Sequence, residues 1–548
     1  MAHALVRAAP RLVSALGGVS QLPLALTING LETQAPLGAS LFACAESTGV
    51  RVPTSCQMQG KCKECMVEVT EGMDCLSPPT AEERHLSGNF RLSCRTLIAS
   101  DTGHIRCHTM RRGHMRIESS AVGLPTRTRD IDRPSAGRNG IAMDLGTTTI
   151  VMRLFDLATG ALIADASFEN PQRFGGSDVM SRIHYDTVHP GKLLRRTLAG
   201  YLSHAIEEFP VDPQTIREMV VVGNSTMRDL FFRQSVYSIG QSPYRSITEI
   251  QMAEGKRASN SLTETGRRCL LPIHPQARVY GAPIVSGHVG ADAAACMLAV
   301  DLAHEDRLIA IMDIGTNTEL IVGNRDRILA ASCPAGPAFE GGAIACGMPA
   351  LDGAVEQVVI NYDGTFRLDV IGDTAPQGIC GSGLVSLMSE LLRTGRMNEM
   401  GRFHDDEQRI TLDRERDIFF LESDVNELAQ AKGANVAGLH VVLSNYGIDF
   451  GDIDVFYLAG GFGRHMTVEA SQRIGLIPGI PESRIVQVGN AAIEGASMAL
   501  LSASKRQEME ALVRRVEHCR LETHPRFFDF FVEGCQFKPI SSIHEVAG

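Results

Sequence analysis

Apolar and polar positions alternate at the start of the chain's first patterned unit. Leu22 to Ile28, the pair Asn29-Gly30, and Leu31 to Ala35 read as two strands around a tight turn. Asn-Gly supplies the positive φ angles that a two-residue hairpin needs. Ser40 is placed to cap a short helix, roughly Leu41 to Thr48. After a cysteine-bearing loop, Cys65-Met-Val-Glu-Val-Thr-Glu-Gly72 resumes as strand and turn. Residues 22–107 therefore read as one small α+β unit, rich in strand, with a single helix.

The pattern then fades. Residues 108–138 carry seven arginines, Pro125 and Pro134 and little periodicity, so they read as a flexible basic linker. From Gly140 the texture becomes α/β, and it contains an echo. Ile141-Ala-Met-Asp-Leu-Gly-Thr-Thr-Thr149 resembles Ala310-Ile-Met-Asp-Ile-Gly-Thr-Asn-Thr318. Asp144 and Asp313 stand 169 residues apart, each closing an apolar strand and opening a Gly-Thr turn, with another strand following. Such spacing predicts a duplicated α/β body, with halves at 139–300 and 301–548 and the C-terminal segment in the second. Residues 1–21 contain Arg7, Arg11 and no acid, but Pro10 and Arg11 break their apolar run. They read as a poorly defined N-terminal extension rather than a transit-type segment.

Composition changes this picture little. The chain has 548 residues, 44% hydrophobic and 21% charged, with a net charge of −11. That is ordinary for a soluble globular protein and favours neither nucleic acid nor an anionic membrane as partner. No apolar run approaches the roughly 18 residues of a membrane span, so a cytoplasmic protein is expected. The cysteines do change the picture. Seven of the 14 fall at or before Cys107. A disulfide framework is not expected in a chain of this length without a secretory signal, so the early cluster points to metal.

Cys56-x5-Cys62-x2-Cys65 with Cys94 supplies four thiolates, three from one tight loop and one from a distant segment. Two irons bridged by two sulfides need four such ligands, and Gly60 eases the bend of the loop. Zinc also takes four cysteines, but usually from two short Cys-x2-Cys knuckles, and only Cys62 and Cys65 have that spacing. Cys44, Cys75 and Cys107 read as small buried apolar residues. The region resembles 2Fe-2S ferredoxins of the adrenodoxin-like group, which implies a β-grasp fold over about 22–107. It departs from them in carrying Gln57 and Met58 where related loops often have glycines.

The two Asp-x-Gly-Thr turns have a physical use. Glycine lets the backbone approach phosphate oxygens, successive N–H groups and Thr147 and Thr148 donate to them, and the aspartate holds hydrated Mg2+. Two such turns facing one cleft would clamp a polyphosphate. Ser286 to Ala295 opens a helix before the second turn, Phe456 to Gly463 is a strand ending in a glycine turn, and Gly489 to Ala496 opens a late helix. Together these resemble the acetate and sugar kinase, Hsp70 and actin superfamily over about 139–502. The resemblance implies that Asp144, Gly146, Thr147 and Thr148 form a first phosphate motif and Asp313, Gly315, Thr316 and Asn317 a second. Gly460, Gly461 and Gly463 then match the adenosine motif, and 286–299 and 489–500 the connecting helices. Weaker features are the polar loop Asn170 to Arg182, the strand and turn Val220 to Thr226, and the helix start Gly378 to Gly383 around a core thiol, Cys380. Phe527, Phe528, Phe530 and Phe531 are expected to pack the C-terminal segment.

A ferredoxin unit fused to an ATP clamp makes sense where the electron acceptor is hard to reduce. The fusion and the order of motifs resemble the reductive activators of corrinoid proteins over about 22–545. The resemblance implies an ATP-hydrolysing iron–sulfur oxidoreductase carrying a 2Fe-2S cluster and Mg-ATP. It would return inactive Co(II) to Co(I) on the corrinoid protein of a methyltransferase system, fed by an upstream reductase or ferredoxin. A homodimer is left open. The alternatives are an ATP-dependent electron injector for a radical dehydratase or aryl-CoA reductase, and a redox-sensing chaperone-like ATPase.

Overall fold

The computed structural model describes residues 24–110, 124, 138–404, 408–461, 463, 465–540 and 542. The N-terminal extension, and the linker apart from its first three residues, Leu124 and Arg138, lie outside them.

The first unit is a five-stranded sheet in the order β2-β1-β5-β3-β4, built from β1 (Leu24–Ile28), β2 (Leu31–Ala35), β3 (Met66–Glu71), β4 (Phe90–Leu92) and β5 (His104–Thr109). β1 and β2 pair antiparallel around Asn29 (φ 50) and Gly30 (φ 82), both left-handed, as the Asn-Gly hairpin requires. The one α-helix of the unit spans Leu41–Ser47, and the Ser40 hydroxyl accepts from the Ala43 N–H at 3.1 Å. Cys44, Cys75 and Cys107 are buried in this unit's core. β5 runs to Thr109, two residues into the stretch read as linker.

Two six-stranded sheets follow. The first comprises β6 (Asn139–Leu145), β7 (Thr149–Asp156), β8 (Leu162–Glu169), β9 (Ile216–Val222), β10 (Leu262–Thr265) and β11 (Arg278–Gly281), ordered β10-β11-β9-β6-β7-β8. The second half starts with β12 (Ile309–Asp313), β13 (Thr318–Gly323) and β14 (Ile328–Cys333). A subsidiary region interrupts it, holding β15 (Ala354–Ile360), β16 (Phe366–Val370), β17 (Gly378–Ile379), β18 (Arg409–Asp413) and β19 (Ile418–Leu421). The sheet is then completed by β20 (Val455–Ala459), β21 (Ile485–Gly489) and β22 (Val516–His518) in the order β21-β20-β12-β13-β14-β22. β9-β6-β7-β8 and β20-β12-β13-β14 share one pattern, a parallel pair followed by two antiparallel pairs. The sequence echo is therefore a structural duplication.

Two alanine-rich helices, Ala291–Ala299 and Ala491–Leu501, cross between the halves. Their small side chains permit close approach: a Cβ on Gly495 would lie 2.1 Å from the Ala295 carbonyl oxygen. The terminal helix Phe527–Gly534 packs on the long helix Glu422–Tyr446, with Phe530 stacked on His440 at 4.9 Å. Phe528 faces outward instead, 72% exposed, because its position lies on the helix face away from that contact. No helix among the described residues is long and apolar enough to cross a membrane.

The ferredoxin-type unit packs directly against the first half. Met66 and Met110 join that half's apolar core. Tyr201 Oη donates to the Glu64 carbonyl at 3.0 Å, and Tyr185 Oη donates to the His85 carbonyl at 3.0 Å.

Candidate active site

The four predicted ligand cysteines converge. Cys65 Sγ lies 3.2 Å from Cys94 Sγ, and Cys56 contacts the thiol of Cys62, giving two pairs of sulfurs as two irons require. Burial opposes ionisation of Cys56, but the Cys62 thiol and N–H groups of Cys62, Lys61 and Gln59 hold it down to about 7. The Glu64 N–H donates to Cys62 Sγ at 3.5 Å. A loop that aims several N–H donors at thiols suits a bridged iron–sulfur group. The loop keeps a glycine-like path despite its departure from glycine. Gln57 (φ 51) and Met58 (φ 62) are both left-handed, so this chain enforces with side-chain-bearing residues a backbone that glycine adopts freely. Gly60 (φ 70) is left-handed too, and a Cβ there would press on Arg95 and Glu82 at 3.0–3.2 Å.

The two phosphate turns meet across the other cleft. Asp144, Gly146, Thr147, Thr148, Asp313, Gly315, Thr316, Asn317, Gly460 and Gly461 all line it. Gly463 sits behind it, its carbonyl accepting from Gln487 Nε2 at 2.6 Å. Gly146 is squeezed: a Cβ there would lie 2.5 Å from the Thr149 carbonyl oxygen. Thr148 Oγ1 and Thr316 Oγ1 stand 2.7 Å apart, one from each half. Asn490 Nδ2 donates to Asp144 Oδ2 at 2.9 Å, and the Cys296 thiol donates to Asp313 Oδ2 at 3.3 Å. Asn224, in the turn after β9, donates to Thr147 Oγ1 at 2.8 Å. Asn170 fixes the first turn from behind, donating through Nδ2 to the Gly146 carbonyl at 2.8 Å and through its N–H to the Thr148 carbonyl at 2.7 Å. Of the weaker features, Gly381 lines the cleft, and the Cys380 thiol is a buried donor to the Val355 carbonyl.

Three acids missing from the expected site also line this cleft: Asp292, Glu319 and Glu340. Asp292 lies in the first turn of the helix Ala291–Ala299, within a motif quoted only as a helix start. Glu319 pairs in register with Asp313 across β12 and β13. Its signal was legible, because the duplicate position, Ile150, is apolar and Glu319 is a charged intrusion into a strand. Glu340, in the 3-10 turn Ala338–Glu340, accepts from Thr148 Oγ1 at 3.0 Å and from Thr316 Oγ1. It carries no local motif. Burial raises the Asp144 carboxyl to about 7 and the Asp313 carboxyl to about 6. Burial and the charge of Asp144 raise Asp292 to about 8, and burial with Asp292 and Asp313 pushes Glu319 well up. Four carboxyls held close and poorly solvated fit a hard divalent cation, which would replace their shared protons.

Comparison with known proteins finds the same succession of units along the chain. A family model described as the 2Fe-2S iron-sulfur cluster binding domain matches residues 26–99. Models for the RACo middle region and for the C-terminal domain of RACo, the ASKHA domain, match 139–305 and 307–545. The corrinoid activation enzyme RamQ of Eubacterium limosum is 32% identical over 428 residues, covering 73% of this chain and 70% of the relative. The Co(II) methylated amine-specific corrinoid protein reductase of Methanosarcina barkeri is 24% identical, covering 72% and 76%. The solved structure of a reductive activator for corrinoid, iron-sulfur protein superimposes with a TM-score of 0.68 at 25% identity, covering 94% of this chain and 98% of that one. Cysteine-ligand unit, duplicated nucleotide cleft and relatives agree in order and extent: the chain belongs to the family of reductive activators of corrinoid proteins.

Proposed function

We propose that this protein couples ATP hydrolysis to one-electron reduction of a corrinoid protein, returning inactive Co(II) to Co(I). The observation that carries this reading is the direct seating of the unit holding Cys56, Cys62, Cys65 and Cys94 on the half that bears a twin-turn nucleotide cleft. Cys56, Cys62, Cys65 and Cys94 hold a 2Fe-2S cluster, which when bound serves as a one-electron carrier. Asp144 and Asp313 hold hydrated Mg2+, and Asp292 and Glu319 complete its acidic surround. Thr147, Thr148, Thr316 and Asn317, with the N–H groups of their turns, orient the phosphates, while Gly460 and Gly461 let the nucleoside approach the backbone. One electron passes from the reduced protein to Co(II), and a separate reductase or ferredoxin replaces it. For one electron, each ~59 mV uphill costs about 1.4 kcal/mol. ATP offsets that cost by favouring one complex or conformation over another.

The test mixes reductant, this protein, a cognate corrinoid protein and Mg-ATP without oxygen and follows the cobalt spectrum. Wild type converts Co(II) to Co(I), or to methyl-Co(III) when a methyl donor is supplied. Cys62→Ser loses the electron path. Asp313→Ala loses the drive, and reduction by that variant as fast and as far as wild type would refute ATP coupling.

A further inference from the structure

Hydrogen bonds, ion pairs and one charge attraction, between Glu340 and Arg173, run from the phosphate turns to the strand that follows Cys65. At one end, Glu340 accepts from the hydroxyls of both Thr148 and Thr316. These are the donors that a terminal phosphate would use. At the other end, Glu68 lies on β3, three residues beyond Cys65. Arg173 stands between. Its Nη1 is 2.9 Å from Glu169 Oε1 and 3.4 Å from Glu68 Oε2, which belong to different domains. Burial works against the charge of Arg173, but Glu169, Glu68 and Glu340 together outweigh it. Arg173 sits in the turn Pro171–Gly175, whose capping residue, Asn170, is bonded to the Gly146 and Thr148 carbonyls. Thr148, Glu340, Arg173, Glu169 and Glu68 all border one cleft of about 900 Å³ between the ferredoxin-type unit and both halves.

Resting on the proposed ATP coupling, we infer that Arg173 is a positioning residue that reports phosphate occupancy at Thr148 and Thr316 to the ferredoxin-type unit through Glu340 and Glu68. A phosphate oxygen is a stronger acceptor for the two hydroxyls than the carboxylate, because it carries more charge. Glu340 then gives up its place. Arg182 and Arg173 both already attract it, and at Arg173 the freed carboxylate competes with Glu68 for one guanidinium. Glu169 keeps its hold, because it belongs to the same half and lies four residues away. The contact that weakens is the one between domains, so ATP loosens the unit on its seat. No bond is made or broken.

The test places a donor and an acceptor dye, introduced as non-natural amino acids, at Leu37 and Met180. These exposed residues lie on the ferredoxin-type unit and on the first half, respectively. Energy transfer is read with and without a non-hydrolysable ATP analogue and Mg2+, and calorimetry reports analogue binding. Wild type loses transfer when the analogue binds. Arg173→Ala starts at the lower transfer and does not respond, and Arg173→Lys restores a response. Glu68→Gln also fails to respond, while binding the analogue within about twofold of wild type. Analogue binding with unchanged transfer in wild type, or a wild-type response in Arg173→Ala, overturns the inference alone. Failure of wild type to bind the analogue overturns the nucleotide reading and this inference with it.

Discussion

In the nucleotide cleft, burial and the charge of Asp144 hold the Asp292 carboxyl up at about 8. A carboxyl raised in the folded state binds more protons folded than unfolded. Between about pH 4 and pH 8, stability therefore falls as pH rises. Asp292→Asn should then raise the unfolding midpoint at pH 7, by on the order of 1 kcal/mol in stability. The same change should lower Mg-dependent ATP hydrolysis about tenfold or more. Calorimetry and a phosphate-release assay check the two together. The same protons compete with Mg2+. Cation affinity should rise from pH 6 to 8 as Asp313 (about 6), Asp144 (about 7) and Asp292 (about 8) ionise, with proton release on binding measurable by titration in buffers of different ionisation enthalpy. In the cysteine loop, Met58→Gly relieves a left-handed residue that is 48% exposed, and should keep the cluster with a stability change under about 1 kcal/mol. Gly60→Ala combines positive φ with contacts at 3.0–3.2 Å and should lose visible cluster absorption first on warming.

The helix crossing that joins the halves depends on Gly495. A Cβ 2.1 Å from the Ala295 carbonyl cannot be accommodated without moving one helix. Gly495→Val should destabilise the protein by about 1–3 kcal/mol. It should also displace Asp292 from the Asn490–Asp144 pair, so nucleotide affinity should fall together with the unfolding midpoint. Thermal scans with and without Mg-ATP test this: a variant whose midpoint drops while its nucleotide-dependent gain in midpoint stays intact would contradict it. Elements of this kind are partly legible in sequence. The run of alanines in Ala291–Ala299 announces a helix made for close packing, but not its partner, which lies some 200 residues away.

For the molecule as a whole, the seated ferredoxin-type unit gives the cluster loop a mechanical neighbour. Tyr201 holds the Glu64 carbonyl, immediately before Cys65, and Gly200 lets the Glu64 side chain lie flat, since a Cβ there would come within 2.8 Å of it. Tyr201→Phe removes a buried hydrogen bond. It should cost about 1 kcal/mol and leave the Glu64 carbonyl without that donor. Because the carbonyl adjoins Cys65, a proposed cluster ligand, the variant should also shift the cluster's electronic spectrum or midpoint potential, measurable by redox titration. A stability loss with an unchanged spectrum and potential would show that the contact seats the domain without touching the cluster.

Sequence alone determined what depends on neighbours along the chain. It gave the Asn29-Gly30 hairpin, the Ser40 cap, the strand that closes at each aspartate, and the close spacing of Cys56, Cys62 and Cys65 in one loop. These follow from backbone preferences and short loops, which a few residues settle. Duplication was legible because one turn chemistry recurs at a fixed offset of 169 residues. Tertiary structure decided what depends on distant segments meeting. It paired Cys65 with Cys94, brought Asp292 and Glu319 beside Asp144 and Asp313, and set Glu340 across both threonines. It also laid Glu68 against Arg173 of another domain. Glu319 stands out against its apolar duplicate, Ile150, but an isolated acid in a helix start or a turn, such as Asp292 or Glu340, has no pattern of its own. Its chemistry comes from the burial and charge of partners that only the packed fold supplies.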